Sequence, residues 1–321
     1  MPTTDVLMTA PMQPLVLEQL DAAFTLHRLW EAPDRDAFLA EVGPRIRGIA
    51  TSTGHGRTDR ALMSRLPALE IVSSFGVGYD NVDAAAAAER GVVVTNTPDV
   101  LNDEVADLTL GLLIATIRQI PQAERYLRAG GWLEKPYPLT ATLRGRKVGI
   151  VGLGRIGKAI ARRVEAFGVE VHYHGRNRQP EVAYPYHPSV GALAEACDVL
   201  IVITPGGAET RHLIDAAVLR ALGPNGILIN VARGSVVDEA ALIEALRNGT
   251  ILTAGLDVYA DEPRVPQALI DMEHVVLLPH VASASVHTRN AMGQLVVDNL
   301  TAWFAGRGPL TPVAETPWPR R

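Results

Sequence analysis

The sequence predicts an α/β protein of two Rossmann-like or flavodoxin-like parallel-sheet domains with a cleft between them. Three observations predict it. Short apolar runs alternate with helical stretches along most of the chain. The apolar runs are continuous, as strands buried on both faces of a parallel sheet require. The chain has 321 residues, room for two domains at about 150 residues each.

In the first half, Val6–Thr9, Arg47–Ala50, Glu70–Ser73 and Val92–Thr95 read as strands. Leu15–Ala23, Thr58–Leu66 and Val82–Glu89 read as helices between them; the Ala84–Ala88 run fits an ordinary helix. Asn102 is a natural cap for a long apolar helix, Asp103–Gln119, with acids in its first turn. That helix is apolar nearly all round, which predicts burial between layers. A second series starts at Lys147, with strands at Lys147–Val151, Val169–Tyr173, Val199–Thr204, Gly226–Asn230, Ile251–Asp257 and Val275–Leu278. Ile156–Phe167 and Glu239–Asn248 read as helices, the latter between an Asp238 cap and a Gly249 stop. A last helix, Val286–Phe304, must pack back on an earlier domain. The expected division is residues 1–100 with 286–321 as a substrate-binding domain and 101–285 as a dinucleotide-binding domain.

Composition narrows the function classes. Hydrophobic residues are 47% and charged residues 20% of the chain, which predicts an ordered globular protein. A formal net charge of -5 gives no bulk affinity for nucleic acid or anionic membrane. The single cysteine, Cys197, rules out a disulfide framework and a cysteine-built metal site; no metal is expected. The first residues carry no basic segment of a secretory signal. The longest apolar stretch, Leu108–Ile117, is too short for a bilayer, which takes about 20 residues. A cytoplasmic protein without nucleic-acid or membrane partners is the expectation.

The first predicted strand of the second series runs into Gly152-Leu153-Gly154-Arg155-Ile156-Gly157. This is G-x-G-x-x-G between a strand and a helix. Gly152 allows the tight turn, Gly154 lets backbone approach a pyrophosphate, and Gly157 lets helix pack on strand. The helix start, with Arg155 and Ile156, offers free N–H groups to phosphate. An NAD site usually carries an acid about 20 residues further on, for the ribose 2′-OH. Here His174 is followed by Gly175-Arg176-Asn177-Arg178, and no acid appears before Glu181. Guanidinium forks suit a 2′-phosphate, and a missing carboxylate removes repulsion. NADP(H) is therefore expected in preference to NAD(H).

Three titratable residues follow strands of the second series, where open α/β sheets bind ligands. Arg233 follows Gly226–Asn230, Glu262 follows Ile251–Asp257, and His280 follows Val275–Leu278. Spacing alone does not prove that they meet. A solvated arginine, an acid before proline and a structural histidine would each look the same.

Taken together, these segments resemble the D-isomer-specific 2-hydroxyacid dehydrogenase family over most of the chain. The resemblance rests on Val148–Gly157, on Leu228–Gly234 with Val236-Val237-Asp238-Glu239, on Gly255-Leu256-Asp257-Val258 with Glu262-Pro263, on Pro279-His280, and on the Ser74–Asp80 loop. It implies that Arg233 holds the carboxylate of a 2-oxo acid and polarises its carbonyl. It implies that His280 is the proton donor and that Glu262 orients His280 and favours its charged form. Val77 and Gly78 would offer amides to the substrate carboxylate. Thr204, Pro205, Thr210, Val231, Ala232, Asp257 and Ala282 would face the cofactor along with Arg233 and His280. Thr204–Thr210 departs from the family's common form by its two glycines. A homodimer is also implied, with Trp132 either in the dimer contact or on a substrate wall.

Within the family, Glu262 argues against the formate dehydrogenase branch, which has Gln there. The absent acid argues against the D-lactate branch, and the chain length leaves no room for a regulatory domain. The Gly-Arg segment resembles NADPH-dependent glyoxylate and hydroxypyruvate reductases, so the expected substrates are small 2-oxo acids and the products 2-hydroxy acids. Other 2-oxo acids (pyruvate, phenylpyruvate) stay open. So does a dinucleotide-binding sensor or corepressor on the same fold, which fold alone does not exclude. A methyltransferase would leave Arg233, Glu262 and His280 unexplained.

Overall fold

A computed structural model of the chain describes residues 4–52 and 56–319. The chain divides into two compact units, Met1–Leu101 with Ser285–Arg321, and Asn102–Ala284.

The first unit holds a sheet of β1 (Asp5–Met8), β2 (Thr25–Arg28), β3 (Ile46–Ser52), β4 (Ile71–Phe75) and β5 (Val93–Thr95). All neighbours are parallel and the order is β2-β1-β3-β4-β5. Helices α1 (Pro14–Ala23), α2 (Arg35–Val42), α3 (Arg60–Ser64) and α4 (Ala84–Glu89) connect the strands. Strand β2 is a departure from the sequence reading. Its residues Thr-Leu-His-Arg lie on a half-exposed edge and lack the apolar run that marks a buried strand. Two helix starts also shift inward. Asp59 accepts from Leu62 N and Asp83 from Ala86 N, both at 2.9 Å, so these carboxylates cap helices that begin one residue later.

The second unit holds β6 (Lys147–Val151), β7 (Glu170–His174), β8 (Val199–Val202), β9 (Ile227–Asn230), β10 (Thr253–Leu256) and β11 (Val276–Leu277). The order is β11-β10-β9-β8-β6-β7, again all parallel. Strands β8, β9 and β10 are buried at every position. Its helices are α5 (Asn102–Arg118), α6 (Ile120–Arg128), α7 (Arg155–Glu165), α8 (Val190–Ala196), α9 (Ala216–Leu222), α10 (Glu239–Arg247) and α11 (Gln267–Ile270).

Helix α5 differs from the expectation of all-round burial. Val105, Leu112, Leu113 and Ile117 are buried, whereas Asp103, Asp107, Gly111 and Arg118 form an exposed stripe. Arg163 of α7 bridges Asp103 and Asp107. The chain turns at Gln119 (φ 48°) into α6, which buries none of its side chains. Helix α12 (Val286–Phe304) belongs to the first unit, packing on α1 and β4.

Both sheets reverse strand order beside their first strand, between β1 and β3 and between β6 and β8. Such switch points open a crevice at the carboxyl ends of the strands, where α/β sheets bind ligands. Among the described residues no helix is long and apolar enough to cross a membrane.

Candidate active site

Asp257, at the end of β10, builds the turn that carries His280. It is fully buried. Its main-chain carbonyl accepts from His280 N at 2.8 Å. Its carboxylate accepts from Val281 N at 2.7 Å and Ala282 N at 2.9 Å. Burial pushes this carboxyl up, and the two amides and the His280 charge pull it back. His280 itself sits at φ 54°, a region L-residues seldom occupy. Three bonds from one aspartate hold it there.

The His280 ring meets Glu262, with Nδ1 2.6 Å from Oε2. The other carboxylate oxygen accepts from Tyr259 N at 3.0 Å. Burial raises the Glu262 carboxyl, but the His280 bond and charge, the Tyr259 amide and the Arg233 charge outweigh it. The net result is a carboxyl below its ordinary value. With Nδ1–H committed to Glu262, Nε2 is the nitrogen left for chemistry.

Arg233 follows β9 on a turn shaped by buried Asn230. Asn230 Oδ1 accepts from Ala232 N at 3.1 Å and Nδ2 donates to Arg233 O at 3.2 Å. The guanidinium is half-buried and its Nη1 donates to Ala232 O at 2.7 Å. Gly234 lets this turn approach the Glu262 loop: a Cβ there would lie 1.8 Å from Tyr259 C. Thus Arg233, Glu262 and His280 are brought into one electrostatic neighbourhood. The sequence reading missed Asn230 and Tyr259 as supports. Tyr259 Oη donates to Leu278 O at 2.9 Å, so it ties β10 to the His280 turn.

The glycine-rich turn sits at the β6–β8 switch point. A Cβ on Gly152 would lie 2.9 Å from Ile203 O, and one on Gly157 would lie 2.2 Å from Gly152 O. A Cβ on Gly154 would meet nothing within 4 Å. Thr204 Oγ1 is buried with no partner among the described residues. A packed Gly152–Gly157 contact, open space at Gly154 and an orphaned hydroxyl beside it fit a dinucleotide laid across the turn. Arg155 and Ile156 open α7, and Val231, Ala232 and Ala282 are buried nearby in sequence from Arg233 and His280. Pro205 is exposed, and Thr210 Oγ1 donates to Pro205 O at 2.7 Å, which closes that loop on itself.

Gly175 is half-buried, while Arg176, Asn177 and Arg178 are exposed. Neither guanidinium has a hydrogen-bond or ion-pair partner among the described residues. Glu181, the first acid beyond them, is held 3.3 Å from Lys158 Nζ. Its carboxyl lies below the ordinary value through a main-chain hydrogen bond and then Lys158.

In the first unit, Val77 and Gly78 follow β4. Gly76 N donates to Thr97 Oγ1 at 3.0 Å, and Asn96 Nδ2 donates to Val77 O at 2.8 Å. The Val77 and Gly78 amides have no partner among the described residues. A loop braced through its carbonyl with two free amides suits an anion.

Comparison with known proteins agrees with this chemistry. Residues 110–282 match the model of the D-isomer specific 2-hydroxyacid dehydrogenase NAD binding domain. A glyoxylate/hydroxypyruvate reductase of Arabidopsis thaliana is 47% identical over 98% of this chain and 100% of its own. The hydroxyphenylpyruvate reductase of Plectranthus scutellarioides is 48% identical, over 96% and 98%. The solved structure of an NADPH-dependent glyoxylate/hydroxypyruvate reductase from Sinorhizobium meliloti, in complex with NADP and malonate, is 55% identical. It superposes with a TM-score of 0.94 over 99% of each chain.

Proposed function

Because this chain belongs to the D-isomer-specific 2-hydroxyacid dehydrogenase family, we propose that it reduces small 2-oxo acids, with NADPH preferred over NADH. Glyoxylate and hydroxypyruvate are the substrates, and glycolate and D-glycerate the products. The single observation that carries this reading is the 2.6 Å His280–Glu262 pair within the field of Arg233.

When bound, the reduced nicotinamide supplies a hydride to the carbonyl carbon. Arg233 clamps the substrate carboxylate and draws electron density toward the carbonyl oxygen, which its fixed charge and fork geometry allow. His280, positively charged, delivers a proton from Nε2 to that oxygen as it becomes an alkoxide. Glu262 keeps the ring turned and offsets its charge. His280 is left neutral and regains a proton from water. The Val77 and Gly78 amides are assigned to the substrate carboxylate. Residues 101–285 are assigned the cofactor and residues 1–100 with 286–321 the remaining substrate contacts.

For the cofactor, Gly152, Gly154 and Gly157 with the α7 start are assigned the pyrophosphate. Gly175, Arg176, Asn177 and Arg178 are assigned the 2′-phosphate; the exposed unpaired arginines and the neutralised Glu181 support NADPH. The remaining cofactor contacts are Thr204, Pro205, Thr210, Val231, Ala232, Asp257 and Ala282. The Plectranthus relative favours a second reading, reduction of an aryl 2-oxo acid. Exposed Ile120, Leu127, Trp132, Leu133 and Leu139 support a homodimer through this apolar segment. A single buried cysteine fits a reducing compartment, and we place the enzyme in the cytoplasm.

The test is His280→Ala. General acid catalysis contributes about 10²–10⁴-fold, so kcat should fall by that order while the Kd for NADPH, read by its fluorescence, stays within twofold. An unchanged kcat removes His280 from the chemistry.

A further inference from the structure

The turn that presents Arg176 and Arg178 is held at its near end by Gly152 N, which donates to His174 O at 2.8 Å, and by Tyr186 Oη, which donates to Gly175 O at 3.4 Å, and at its far end by Gln179. Gln179 N donates to Tyr173 Oη at 2.8 Å, and Tyr173 is fully buried within β7. The phenol therefore closes the stretch from β7 to Gln179 on a rigid base. Gln179 Nε2 then donates to Leu153 O at 2.8 Å. Leu153 stands between Gly152 and Gly154 in the glycine-rich turn. Val182 N donates to Gln179 O at 3.1 Å, so the chain beyond is tied to the same residue. One half-buried side chain thus joins the turn assigned the pyrophosphate to the turn assigned the 2′-phosphate. The guanidiniums themselves have no internal partner among the described residues to hold them.

We infer that Gln179 is a specificity-determining positioning residue, latching the Arg176–Arg178 turn to the glycine-rich turn so that both arginines are preset for a 2′-phosphate. The inference rests on the NADPH reading above. A preset turn spares the ligand the cost of ordering it. That cost falls only on a ligand that uses the arginines. NADH lacks the 2′-phosphate, so losing the latch weakens NADPH and leaves NADH nearly as it was. Gln179 need not touch the cofactor at all.

Calorimetric binding to Gln179→Ala and Gln179→Asn tests this without turnover. The probes are adenosine 2′,5′-bisphosphate and 5′-AMP, alongside NADPH and NADH. The expected result is about tenfold weaker binding of the bisphosphate and NADPH, with 5′-AMP and NADH within twofold. At saturating NADPH, kcat should match the wild type, since no catalytic group has moved. Gln179→Asn, which keeps the amide but loses its reach, should behave like Gln179→Ala. Equal losses for both kinds of probe, or none for either, overturn the latch. The Arg176→Ala/Arg178→Ala double variant is run in parallel. If it leaves the bisphosphate affinity unchanged, the NADPH reading itself fails. If it lowers that affinity and the Gln179 variants do not, only the latch falls.

Discussion

Arg233 and Glu262 divide the electrostatic labour around His280, and each makes a separate prediction. A charged hydrogen-bonded pair is worth about 1.5–3 kcal/mol. Arg233→Ala should therefore raise KM for a 2-oxo acid by about 10–100-fold; steady-state kinetics showing a wild-type KM would refute the clamp. Glu262 titrates below its ordinary value in the fold. A depressed folded pKa gives stability that is intact above the unfolded value of about 4.3. That stability is lost as pH falls through the lower folded value. Thermal melts across about pH 3–6, which bracket the unfolded value of about 4.3, should show wild type losing Tm below that value more steeply than Glu262→Gln. Parallel curves would mean the pair contributes nothing. Arg233, Glu262 and His280 each follow an apolar strand, but only the family resemblance singled them out together. Asn230, Tyr259 and Gln179 were not legible. Their bonds reach main-chain atoms, in two cases 19 and 26 residues away, and leave no trace in local pattern.

At the scale of elements, what read clearly was what is buried on both sides. All six strands of the second sheet announced themselves as apolar runs, with no end displaced by more than two residues. The edge strand β2 did not, because an edge beside solvent tolerates His27 and Arg28. Helix α6 did not: its nine residues carry a short apolar stripe, Ile120, Ala123 and Leu127, that is buried against nothing in this chain and is set among polar and charged residues. The Asp238 cap was legible: its carboxylate accepts from Ala241 N at 3.1 Å. Contacts between elements are a different matter. Gly234 reads as an ordinary loop glycine, yet its neighbours at Cβ distance are all main-chain atoms of Tyr259 and Ala260. Main chain cannot swing aside, so Gly234→Ala should destabilise by about 1–3 kcal/mol, the usual range for overpacking. A melt indistinguishable from wild type would show that the two loops part easily.

For the molecule as a whole, two parallel sheets were legible from the alternation of runs and helices, whereas the strand reversal in each sheet came only from the fold. What meets the exposed apolar α6 segment was not legible, since one chain's pattern names no partner. If a second copy does, Leu127→Glu should halve the mass seen by light scattering; an unchanged mass would place the dimer contact elsewhere, and a monomeric wild type would remove it. The reaction is the central claim, and its most direct measurement is the loss of reduced-nicotinamide absorbance in purified protein. Glyoxylate, hydroxypyruvate, pyruvate and phenylpyruvate would each be offered with NADPH and with NADH. The account predicts fast NADPH oxidation with glyoxylate or hydroxypyruvate and little oxidation of NADH. A preference for NADH would contradict the role given to Arg176 and Arg178, and no turnover with any of the four acids would contradict the reductase itself.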